Sequence, residues 1–158
     1  MSRSTHHVIL SSPEETAALA LRLGGVLRPG DTLLLEGPIG AGKTHFARSL
    51  IQSRLITPED VPSPTFTLVQ TYDAEGAEIW HADLYRLGQP DEVVELGLTD
   101  AFETAICLVE WPDRLGKLAP QSALTLQFAT TDDEDARVLD VTWSDPAWTP
   151  RLKDVFHD

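Results

Sequence analysis

Asparagine is absent from this 158-residue chain, and cysteine occurs once. The first absence removes any N-K-x-D segment, the device by which Ras-like GTPases read guanine. The second rules out an internal disulfide. Cys107 lies in the apolar run AICLVEW and reads as a buried, inert thiol. No apolar run approaches the roughly 18 residues of a membrane span, so no membrane association is expected. The first ten residues, MSRSTHHVIL, lack the long apolar h-region of a secretory signal. A cytoplasmic protein is the expectation. Basic residues are also scarce: 12 Lys and Arg face 25 Asp and Glu, a net charge of −13. A protein that grips nucleic acid unaided shows a basic face, and here only RSLIQSR and RLKD look basic. If the chain serves an RNA pathway, another molecule holds the RNA.

What is present fits one domain over residues 1–158, in which 143–158 reads as a docked helix or a frayed tail. HHVILSS suggests a short strand. SPEE then offers a capping box, with Ser12 as N-cap, Pro13 at the first helical position and Glu15 reaching back. Leu19, Leu23, Val26 and Leu27 follow on one helical face. TLLLE is a continuous apolar strand of the kind covered on both faces. A helix is predicted from about Lys43 to Leu55. TFTLVQTYDAEGAEIWHADLY reads as two strands about a turn at DAEGA, and QPDEVVELGL as one short helix. TAICLVEW is a second buried strand and PDRLGKL a helical turn. SALTLQFATTDDEDARVLDVTWS reads as a hairpin with a solvated acidic tip at DDED. Strands alternating with helices predict an α/β three-layer P-loop NTPase-like domain with a mixed, mainly parallel sheet.

The stretch LLLEGPIGAGKTHFARSL carries the chemistry. Gly37-x-x-x-x-Gly42-Lys43-Thr44 fits G-x-x-x-x-G-K-[ST] without a mismatch, between an apolar strand and an amphipathic helix. Backbone N–H groups around Gly40, Ala41 and Gly42 are expected to point inward at a helix N-terminus, where an anion is favoured. Lys43 is placed to reach the β- and γ-phosphates and the Thr44 hydroxyl to ligate Mg²⁺. With no guanine-reading segment, ATP is the expected nucleotide.

A P-loop also needs an acid to hold the metal's water shell. Glu110 closes the strand ICLVE, and Asp83, ending a strand in HADLY, competes for that place. Each has a plainer alternative as a strand-end carboxylate in solvent. Trp111 is either core or a cover for the nucleotide. His81 reads as structural, since nothing nearby forms a metal cluster. In SPTFTLV, Thr65 or Thr67 is a candidate sensor of the γ-phosphate, the alternative being strand hydroxyls in water. Arg86 is the nearest candidate for an arginine finger in cis, or equally a strand-end salt bridge.

GPIGAGKTHFAR, SPTFTLVQTY, HADLYRL, ELGL and AICLVEWPDRL stand in the order and spacing of the bacterial TsaE family of tRNA threonylcarbamoyladenosine biosynthesis ATPases, which this sequence resembles from about Ser12 to Leu118. The resemblance implies a P-loop ATPase that works with TsaB and TsaD. Together they support attachment of threonylcarbamoyl to N6 of adenosine 37 in tRNA, and ATP hydrolysis resets the partner complex between turnovers. It implies phosphate binding by Lys43, magnesium at Thr44, the two acidic positions at Asp83 and Glu110, and a tryptophan beside the nucleotide at Trp111. Pro38 and Ile39 stand where the family often has an acid and a leucine, and His45 where it often has threonine. Neither departure removes a required group: position 45 offers its backbone N–H whatever the side chain, and Ile39 and His45 both stay among the expected nucleotide-binding residues. Two rivals remain: a small-molecule kinase, which would carry an arginine-rich lid where this chain scatters nine arginines, and a nucleotide-dependent interaction module that does not hydrolyse.

Overall fold

A computed structural model describes residues 3–62, 64 and 68–156. The chain begins with β1 (Ser4–Leu10) and α1 (Pro13–Gly24). Ser12 caps α1, its Oγ accepting from the Glu15 N–H at 3.2 Å. Glu15 does reach back, but to the N–H of Ser11 at 2.7 Å, one residue before the cap. β2 (Thr32–Glu36) leads through the glycine loop to α2 (Lys43–Arg54). A hairpin follows, β3 (Val69–Ala74) and β4 (Ala77–Asp83). The predicted single helix at QPDEVVELGL is instead two, α3 (Glu92–Glu95) and α4 (Leu98–Thr104). They are separated at Gly97, whose left-handed φ of 83° ends one and starts the other. β5 (Ile106–Glu110), a 3₁₀ segment (Pro112–Leu118), the hairpin β6 (Leu124–Thr130) and β7 (Arg137–Trp143), and α5 (Trp148–Val155) complete the described chain.

Among the described residues, seven strands form one sheet in the order β1-β7-β6-β2-β5-β4-β3. β6, β2, β5 and β4 run parallel as neighbours, while β7 and β3 are antiparallel to theirs and β1 is antiparallel to β7. The sheet is mixed around a parallel core. Side chains alternate across it as the period of two requires. Leu33 and Leu35 of β2, with Ile106 and Leu108 of β5, pack with α1, α2 and α5 on one face. Leu34, Cys107 and Val109 pack with Val93, Leu98, Ala101 and Leu115 on the other. Each leucine fully buried this way contributes roughly 2 kcal/mol of transfer free energy. Burial, with Glu78 adding to it, pushes the Cys107 thiol up to about 12, so it is the inert core residue its sequence context suggested. Arg151 ties α5 down by donating to Val26 O and to the Asp31 carboxylate.

Gly37, directly after β2, has the least room of the chain's glycines. Its φ is 136°, and a Cβ there would lie 2.5 Å from the Phe128 carbonyl oxygen of β6. Both the left-handed backbone and the close approach demand glycine. Gly37→Ala is therefore expected to cost about 3 kcal/mol. That corresponds to a fall in thermal midpoint of roughly 6–12 °C for a chain of this size. An unchanged melting curve would mean that the β6 backbone yields freely.

Candidate functional site

The parallel core brings the ends of β2, β5 and β4 to one rim of the sheet, where open α/β folds bind ligands. Asp83 and Glu110 are direct register partners across β4 and β5. Both are buried, 6% and 2% exposed, on the face covered by α2. The plainer reading of either as a solvated strand-end carboxylate is thereby set aside. Lys43 opens α2 and is itself only 5% exposed. Its Nζ donates to the Gly37 carbonyl and lies 3.6 Å from the centroid of the Trp111 ring. Burial draws this ammonium below its ordinary 10.5, while Glu110, Asp83 and Asp113 oppose the shift.

Thr44 Oγ1 donates to Glu110 Oε1 at 2.8 Å. The other carboxylate oxygen, Oε2, accepts from His81 Nε2 at 2.7 Å. His81 is fully buried, and its Nδ1 has no hydrogen-bond partner among the described residues. Sequence reasoning took His81 as structural and missed this contact. Its only available signal was the alternation of β4, which puts residues 81 and 83 on one face. Asp83 Oδ1 accepts from the Tyr85 N–H at 3.0 Å, turning the chain out of β4. Tyr85 and Trp111 lean on each other, ring centroids 4.9 Å apart. Trp111 has a left-handed φ of 58°, which aims the residue after β5 at the loop instead of continuing the strand.

These groups border a cavity of about 640 Å³. Of the candidate residues, Ile39, Gly40, Gly42, Lys43, Thr44, His45, Asp83, Glu110 and Trp111 all line it. Ala41 does not: its N–H donates to Pro38 O at 3.2 Å and its side chain is buried in the core. That amide closes the loop's own turn here. Gly37 contributes through its carbonyl, not as a lining residue. Thr65 and Thr67 lie outside the described residues. Tyr85 and Arg86, both within HADLYRL, also line the cavity, as do Pro13, Thr16, Asp135 and Arg137, which no site motif marks. Asp135 belongs to the hairpin tip expected to be merely solvated; it is exposed, yet borders the site.

Among the described residues no three His, Cys, Asp or Glu side chains converge on a point that would hold a metal alone. One hydroxyl and two carboxylates suit Mg²⁺ that arrives with phosphates, since this ion is usually held by one or two protein carboxylates plus substrate oxygens. The donor set Thr44, Glu110 and Asp83 fits that pattern.

A sequence model described as "Threonylcarbamoyl adenosine biosynthesis protein TsaE" matches residues 10–139. The chain belongs to the TsaE family. Every cavity-lining residue, from Pro13 to Arg137, falls inside the matched span. A TsaE from Rickettsia bellii, named as a tRNA threonylcarbamoyladenosine biosynthesis protein, is 37% identical over 142 residues, covering 90% of this chain and 98% of the relative. One from Bacillus subtilis bearing the same name is 37% identical over 128 residues, covering 80% and 79%. The crystal structure of YdiB from Bacillus subtilis superposes with a TM-score of 0.80 at 28% identity, covering 98% of this chain and 96% of that one. The α/β architecture is therefore that of a solved relative. No helix among the described residues is long and apolar enough to cross a membrane.

Proposed function

We propose that this TsaE-family chain binds ATP with Mg²⁺ and hydrolyses it in support of the threonylcarbamoyl modification of adenosine 37 in tRNA, acting with TsaB and TsaD. The observation that carries the ATPase reading is the Thr44–Glu110 hydrogen bond at the foot of the glycine loop. It joins the hydroxyl a P-loop offers to magnesium with the acid expected to govern the ion's water shell. The pathway reading rests on the names of the relatives and on family membership.

On this reading each residue has a distinct task. Lys43 leaves the Gly37 carbonyl and pairs with the phosphates, a stronger partner for a poorly solvated ammonium. Thr44, Glu110 and Asp83 hold the ion, which when bound neutralises phosphate charge and polarises the terminal phosphoryl group. Glu110 is kept in place from both sides, by Thr44 and by His81. Trp111 and Tyr85 wall the acidic end and limit the entry of water there.

The net charge of −13 argues that tRNA is held by the partners. Surface carboxylates and phosphates repel one another within a Debye length of roughly 8 Å at physiological salt. The isolated chain is expected to release phosphate slowly and to bind tRNA weakly, and the TsaB–TsaD complex to raise the rate by supplying groups in trans. Phosphate release at fixed salt, measured for the chain alone, with tRNA and with the partner complex, tests this. Full activity in the chain alone, or activation by bare tRNA, overturns the partner-dependent reading.

A further inference from the structure

Glu110 stands under two competing forces. Its register partner on the neighbouring strand is Asp83, and like charges directly opposite one another across a ladder repel. Lys43 attracts it: among the acids that oppose the effect of burial on that ammonium, Glu110 acts most strongly. A carboxylate that swung onto Lys43 would leave the Thr44 hydroxyl and the place of the ion. The structure shows another arrangement. Lys43 Nζ donates to the Gly37 carbonyl, and the two oxygens of Glu110 are taken by Thr44 on Oε1 and by His81 on Oε2. Resting on the nucleotide reading above, we propose that His81 is a positioning residue for the reaction: by holding Glu110 Oε2 it keeps Oε1 against Thr44, without itself touching nucleotide or ion.

The sheet places His81 for this task. It is the register partner of Leu108 on β5, and Glu110 lies two residues further along that strand, so both side chains share one face as diagonal neighbours. On β4 it stands one pleat deeper than Asp83, which borders the cavity, whereas His81 is fully buried and does not border it. A carboxylate only accepts, so Nε2 is the donor of the 2.7 Å bond. Nδ1 has no hydrogen-bond partner among the described residues, so the ring's hydrogen bonding there goes to Glu110 alone. Burying a polar nitrogen without a partner carries a cost. An apolar side chain would fill the same core position without it, and packing alone gives no reason for an imidazole here. The bond to Glu110 gives one. Partners in the shell behind a metal's ligands orient those ligands in the same way.

The competing role for His81 is support of the core. Three substitutions separate the two. His81→Leu fills space and removes the donor. His81→Asn places its amide near the position of Nδ1 and falls short of Glu110, whereas the His81→Gln amide reaches the position of Nε2. Each is read by thermal melting, by calorimetric titration with ADP in the presence and absence of Mg²⁺, and by single-turnover phosphate release from ATP. His81→Leu and His81→Asn are expected to lower the release rate, and the gain in ADP affinity that Mg²⁺ confers, by about 10–100-fold, and His81→Gln to restore most of both. Added to Glu110→Gln, which has no charge to be drawn toward Lys43, His81→Leu is expected to cause little further loss. If His81→Leu does not fold, the contrast of asparagine with glutamine decides alone. Parental behaviour in His81→Leu or His81→Asn, a glutamine variant as impaired as asparagine, or a full further loss in the Glu110→Gln background each overturn the inference. A parent whose ADP affinity is indifferent to Mg²⁺ overturns it too, while leaving the phosphate site standing. A parent that binds ADP under neither condition overturns the nucleotide reading itself.

Discussion

Lys43→Ala is expected to lose ATP binding by at least about 100-fold while remaining folded. The ammonium is nearly buried, and its present partners are a carbonyl, an indole face and the field of the nearby acids. Removing one partner of a desolvated, hydrogen-bonded charge pair costs roughly 2–5 kcal/mol, and each 1.4 kcal/mol is about tenfold in affinity. Here the loss is compounded, because Asp83 and Glu110 would then face the phosphates without the lysine between them. The fold should survive. Burial already disfavours the charged form of Lys43, so deleting the ammonium removes a desolvation cost, and alanine suits the first turn of α2. Lys43→Met is the control that keeps the stem packed against Trp111. Both variants should melt near the parent and fail to show heat on titration with ATP·Mg²⁺. Parental ATP affinity in either folded variant would falsify the loop's assignment to phosphates.

What the sequence revealed about this site was what lies close together along the chain or ends a strand. The loop Gly37–Thr44 is contiguous, and each of its residue types answers a local backbone or charge requirement. Glu110 and Asp83 were visible because each closes an apolar run, though their adjacency in register was not. Arg137 was hidden for a different reason. It reaches Gly40 across 97 positions of sequence, through the antiparallel pairing of a hairpin on the far side of β2. No local pattern distinguishes an arginine that merely opens a strand from one that folds over a loop. The second short helix, α4, was missed because the single helix read at QPDEVVELGL ran through Gly97, whereas its left-handed backbone serves as the junction between two helices. His81 belongs with these. A histidine on a buried strand is ordinary core until its neighbour in the next strand is known to be an acid.

Glu110→Gln is expected to keep ATP bound and to slow its hydrolysis by roughly 100-fold or more. The substitution preserves shape at a residue only 2% exposed and removes its charge. The hydrogen bonds can be rebuilt. The Gln carbonyl still accepts from Thr44, and its amide can donate to His81 Nε2 once that ring carries its proton on Nδ1, which has no partner among the described residues. A folded, nucleotide-binding variant is therefore the expected product, and the missing charge alone is felt in catalysis. Asp83→Asn is the companion. Asp83 supports the turn at Tyr85 through Oδ1, a role asparagine can keep, so any loss of rate there reports on its share of the metal. Single-turnover phosphate release at saturating ATP, with Mg²⁺ varied, reads both variants. Glu110→Gln should lower the plateau rate strongly, whereas Asp83→Asn should chiefly raise the Mg²⁺ concentration required. If Glu110→Gln turns over at the parental rate and Asp83→Asn is inactive at any Mg²⁺ concentration, the two acids have exchanged roles and the Thr44–Glu110 bond is only a structural tie.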